Sequence, residues 1–181
     1  MKRFYRAMML VTMALAAQMA NAYAGPSGKL ANPQHNALVH VAVTEAYLDE
    51  AQIKAIVQIV SNRAYIYGDP DNFSKVVYNP REMFGPLNKP TPWVGEEAGR
   101  FAQTAAILRP YFGKLEAGKL IAPKLATAWH FDMKHQPAWG KLLAKYCFTE
   151  KRTGIQRCLY VQEARNKDVT ASLKRRAARQ G

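Results

Sequence analysis

Leu38-Val39-His40-Val41-Ala42-Val43-Thr44-Glu45-Ala46 is the stretch whose reading decides the fold. Side chains three, four and seven apart stack on one side of a helix, so Leu38, Val41, Ala42 and Glu45 are expected on a single face. A carboxylate in the middle of an apolar face is costly to ionise, and its pKa is expected to rise. An acid that stays protonated near neutral pH is a proton donor. The same residue also reads as a structural Glu held by Lys or Arg, because structural ion pairs perturb pKa values too.

Working outward, the pattern predicts a first helix over 36–47. Asp49 is placed to cap a second over 50–65, with Ile53, Ile56, Val57, Val60 and Ala64 as its apolar stripe and Asn62 and Arg63 near its end. Gly68-Asp69-Pro70-Asp71-Asn72 is a break. Residues 73–78 read as a short helix or a strand. Residues 79–94 carry Pro80, Pro86, Pro90 and Pro92 and read as a long irregular loop, a common place for function. Helical patterns return over 95–111 and 112–118. The order of elements predicts an α+β domain, mostly helical, with a small β-hairpin late in the chain.

The ends point to an exported protein. Residues 1–24 have a basic start (Lys2, Arg3, Arg6), a short apolar core from Met8 to Ala17 and small-x-small patterns before Gly25. They read as a signal peptide cleaved after Ala24, or as an Ala-rich N-terminal anchor. No later segment reads as a membrane span, and the expected location is periplasmic or secreted. Cys147 and Cys158, with Thr153-Gly154 between them, are expected to pin the two arms of the hairpin by a disulfide. A bridge over so short a loop stabilises by about 3 kcal/mol in the chain-entropy account. The net charge of +13 falls by three, to about +10, when residues 1–24 are removed. Such a charge favours a polyanionic partner, and an export signal favours anionic envelope polymers over nucleic acid. Residues 165–181 read as a solvated helix or disordered basic arm, leaving 25–164 as the folded domain.

Several fragments then line up in order: Thr44-Glu45-Ala46, Asp49-Glu50-Ala51-Gln52, Ser61-Asn62-Arg63, Val76-Val77-Tyr78-Asn79-Pro80, Met83-Phe84, Ala126-Thr127-Ala128-Trp129-His130 and Pro137-Ala138-Trp139. Together they resemble the SleB/CwlJ-type cell-wall hydrolases, the spore-cortex-lytic enzymes and their relatives, over residues 38–160. The departures are specific. The segment after Glu45 is about two residues short. Ala128 and Trp129 replace the first His and the aromatic of an H-x-H motif. Extra residues stand before Phe84 and between His130 and Trp139. The resemblance implies a lysozyme-like fold and cleavage of peptidoglycan between N-acetylmuramic acid and N-acetylglucosamine. It implies Glu45 as the catalytic acid and Tyr78, Phe84, Thr127, Trp129 and His130 as substrate contacts.

Glycoside hydrolysis normally uses a second carboxylate. Asp49, Glu50, Asp69, Asp71, Glu82 and Asp132 are available in the chain, none at a convincing position. A lytic transglycosylase needs only one, which acts as acid and then as base, and that route is expected here. No cofactor is expected. His130, Asp132 and His135 fit no common zinc spacing, so no metal is expected either. The competing readings are a non-catalytic glycan-binding or envelope-assembly protein on the same scaffold, and a phage endolysin with an N-terminal signal-anchor.

Overall fold

The structure, a computed structural model, describes residues 29–46, 49–81, 95–131, 143–149, 154, 156–161 and 167–180. It is mostly helical. Among the described residues, six α-helices run as α1 (Pro33–Glu45), α2 (Glu50–Ile66), α3 (Phe73–Val77), α4 (Gly95–Leu108), α5 (Phe112–Glu116) and α6 (Lys167–Ala178), with 3-10 turns at Arg109–Tyr111 and Pro123–Leu125. Three short strands, β1 (His130–Phe131), β2 (Leu143–Thr149) and β3 (Gln156–Val161), pair in the order β1-β3-β2. Both pairings are antiparallel, and Cys147 stands opposite Cys158. Cys147 is disulfide-bonded. The proposed signal segment, Glu82, Met83, Phe84, Trp93, Asp132, His135 and Trp139 lie outside the described residues.

Short polar side chains start the helices. Asn32 accepts hydrogen bonds from the Gln34 and His35 amides, and Pro33 follows it at the first helical position, where no N–H is needed. These two residues start α1 three positions earlier than the hydrophobic pattern alone places it. Asp49 accepts from the Gln52 amide at 3.0 Å and starts α2 where expected. Asn72 accepts from the Lys75 amide and starts α3, which settles residues 73–77 as helix. At the far end of α5, the Gly118 amide bonds to the Leu115 carbonyl and the Lys119 amide to the Lys114 carbonyl. That Schellman arrangement requires a left-handed residue, and Gly118 has φ +68°.

The core is built around α1. Asn36 through Val43 are all buried, so the helix is enclosed on every side rather than on one stripe. The reason lies in the sequence, where apolar residues fill nearly every position from Ala37 to Val43. Helices α2, α3 and α4 pack on it. Ile53, Ile56, Val57 and Val60 of α2, Phe73 of α3 and Phe101 and Leu108 of α4 complete the cluster.

The basic C-terminal segment departs from expectation. Residues 167–178 form a helix packed on α2, with Thr170, Leu173 and Arg176 buried. They are not a free arm. Thr170, Leu173 and Ala177 supply a narrow stripe at spacings of three and four, and Arg176 adds a buried polar anchor beside them.

Candidate functional site

Glu45 is the last residue of α1 and is half-buried. It therefore stands at the end of the buried helix, not in the middle of an apolar face. The Ala46 amide still bonds to the Ala42 carbonyl at 2.8 Å. Arg100 of α4 donates from Nη2 to the Val43 carbonyl at 2.8 Å, satisfying one of the carbonyls that a helix end leaves open. Four residues on, Asp49 opens α2. Gln52, in its first turn, is 1 % exposed, and its Nε2 has no hydrogen-bond partner among the described residues. An orphaned buried donor is rare enough to require an explanation. Nothing in the sequence marked this side chain beyond its membership of the Asp49-Glu50-Ala51-Gln52 fragment.

Upstream of Glu45 on the same helix, His40 is 3 % exposed and its Nδ1 lies 3.2 Å from the Tyr78 hydroxyl. Burial pushes the His40 imidazole below its ordinary pKa. Burial also pushes the Tyr78 phenol up, with a hydrogen bond to Asn36 opposing it. The pair is thus held neutral. Tyr78 caps the end of α3 and is half-buried, so it joins the α1 side of the molecule. His40 is a neighbour the sequence offered openly, as the one imidazole inside an apolar run.

Thr127, Trp129 and His130 sit on a segment fastened to the other end of α2. Asn62, fully buried, donates from Nδ2 to the Leu125 carbonyl at 3.1 Å and to the Ala128 carbonyl at 2.8 Å. Arg63 donates from Nε and Nη2 to the Trp129 carbonyl at 3.1 and 2.7 Å. Its guanidinium also lies 5.5 Å from the centre of the Trp129 ring. Tyr67, 41 % exposed, meets the same indole edge-on at 6.2 Å. Thr127 is half-buried between these anchors, and His130 opens β1 opposite Tyr160. Asn62 and Arg63 are thus holders of this segment.

The expected site residues fall into two groups. Glu45 is joined by a short connection to the start of α2, whereas Trp129 is bound at Arg63. At 1.5 Å per residue, Glu50 and Arg63 are about 20 Å apart along the axis. The structure brings Trp129 to Arg63 and Tyr67, and Tyr78 to His40; it does not bring Trp129 to the Glu45 end of α2.

Three of the other described carboxylates have structural work. Asp49 caps α2, Glu50 pairs with Lys54 at 2.6 Å, and Asp69 accepts from Asn72 and pairs with Lys75. Among the described residues no cluster of three or more His, Cys, Asp or Glu side chains is placed to hold a metal ion. No helix among them is long and apolar enough to cross a membrane. No known protein family, curated protein or solved structure matches the chain.

Proposed function

We propose that this protein is an exported peptidoglycan-cleaving enzyme that acts as a lytic transglycosylase, with Glu45 as its single acid and base. The observation that carries the reading is the placement of Glu45, half-buried at the end of a helix that is buried from Asn36 to Val43. In this role the carboxyl of Glu45 starts the reaction protonated. Glu45 then gives its proton to the glycosidic oxygen as the bond to C1 of the muramyl sugar breaks. The resulting carboxylate takes the proton of that sugar's own 6-hydroxyl, whose oxygen closes on C1. The product is a 1,6-anhydro end, and no water is consumed. The occupied state of Asp49, Glu50 and Asp69 supports this one-carboxylate route over hydrolysis.

In this reading the domain is lysozyme-like, and β2 and β3 form one hairpin pinned by Cys147 and Cys158. Tyr78, Phe84, Thr127, Trp129 and His130 contact the glycan. A polymer can touch both groups of residues at once, which a small substrate does not. The exposed Lys174 and Arg175 of α6, with Arg179 just beyond it, offer positive charge to anionic envelope polymers.

A second reading, a glycan-binding protein without catalysis, draws on the separation along α2 between the Glu45 end and the Trp129 segment. Zymography on purified cell walls decides between them. Clearing by the wild type and none by Glu45→Gln supports the enzyme. Binding without clearing by the wild type supports the second reading.

A further inference from the structure

The asparagine that holds the Trp129 segment is itself held by the C-terminal helix. Arg176, 2 % exposed, donates from Nη1 to Asn62 Oδ1 at 3.1 Å and to the Ser61 carbonyl at 3.3 Å. From Nη2 it donates to Ser61 Oγ at 2.9 Å and to the Gly118 carbonyl at 2.7 Å, and from Nε to Gly118 again at 3.1 Å. Its guanidinium lies 4.8 Å from the Tyr65 ring centre. All of its hydrogen-bond acceptors are neutral. A buried cation is costly and survives where its hydrogen bonds are complete.

We propose that Arg176 is a positioning residue for residues 118–129, and that α6 acts as a clasp over that segment. The proposal rests on the reading that Thr127 and Trp129 meet the glycan.

The chain of contacts is continuous. Asn62 Oδ1 accepts from both Gln58 Nε2 and Arg176 Nη1. With two donors aimed at its oxygen, the amide has one satisfactory orientation, and its nitrogen faces the Leu125 and Ala128 carbonyls. Gln58 repeats the device one turn earlier, accepting from the Ile121 and Ala122 amides at 2.8 and 3.1 Å. Gln180, beyond the helix, adds two ties, to the Gly118 carbonyl and the Leu120 amide. The segment is thus fastened at residues 118, 120, 121, 122, 125 and 128, and Arg176 spans two of its supports. The planar guanidinium reaches Ser61 and Asn62 on α2 and Gly118 after α5 at once, which an ammonium does not.

The test is hydrogen exchange by mass spectrometry on the full chain, with KM and kcat measured on soluble glycan fragments. In Arg176→Ala, exchange over 118–131 is expected to rise while the α1 amides keep their protection. KM is expected to rise several-fold with kcat little changed. Arg176→Lys is expected to fold and to show both effects partially, and it carries the test if the alanine variant does not fold. Wild-type exchange over 118–131 in the variant that folds overturns the clasp. So does loosening spread equally over α1. Loosening of the segment with an unchanged KM overturns the positioning role. If the wild type neither binds nor cleaves glycan, the functional reading fails, and the exchange comparison still decides the clasp.

Discussion

Helices α1 and α6 enter the interior by opposite means. Helix α1 brings an unbroken run of buried residues from Asn36 to Val43, nearly all apolar. Helix α6 is strongly basic and inserts only Thr170, Leu173 and Arg176. The first is held by exclusion of water, which is non-directional and tolerant of small shifts. The second adds, beside one buried leucine, directed hydrogen bonds from a guanidinium, which fix what they touch. The comparison teaches that the apolar helix makes the core and the charged helix orders a surface segment laid across it.

Four changes sharpen or break that contrast. Leu38→Ala removes a fully buried side chain from the most enclosed helix. It is expected to cost about 3 kcal/mol, within the usual range for such cavities, read as a lowered denaturant midpoint. Arg176→Ala is expected to cost about 2 kcal/mol, because buried acceptors lose their donors. A larger loss from Arg176 than from Leu38 would reverse the ranking.

The third change concerns His40. Its folded-state pKa lies below the ordinary imidazole value of 6.5 because of burial. The unfolded chain therefore binds more protons as pH falls through that value, and stability is expected to decline below about pH 6.5. Above that pH the contribution is fully present. His40→Gln should flatten this part of the stability–pH curve; an unchanged slope would show that the imidazole is not buried neutral.

The smallest effect on folding is expected from Lys174 and Arg175 on α6 and Arg179 just beyond it, all exposed. Replacing the three with Ala should leave the melting temperature close to wild type. It should weaken sedimentation with cell walls at low salt, with the difference fading as salt screens the charges. A large loss of stability would mean that α6 is held by its exposed charges as well as by Arg176.

Much of the helical framework was legible. The stripe of α2 and the cap at Asp49 follow from residue types whose local chemistry is strong. The start of α1 was missed because its signal is Asn32-Pro33, a cap and a first-turn proline, and not apolar spacing. Arg176 was illegible for a different reason. It stands in Lys174-Arg175-Arg176, where three adjacent basic residues look alike and only tertiary contacts choose the buried one. The spacing of Thr170, Leu173 and Ala177 was the one available hint. The role of Asn62 as the holder of a segment more than sixty residues away rests on long-range contacts that no local pattern encodes. Glu45 was legible as a carboxylate attached to an apolar helix, but its position at the helix end depended on where α1 stops.

The central claim is that Glu45 delivers the proton that breaks the glycan. Its most direct test is digestion of purified peptidoglycan by wild type and Glu45→Gln, with soluble products analysed by mass spectrometry. The isosteric amide keeps the packing at the end of α1 and has no proton to deliver at useful pH. The wild type is expected to release fragments with anhydro ends, one water lighter than reducing ends, and the folded variant to release none. A folded Glu45→Gln that releases the same fragments at the wild-type rate would contradict the account.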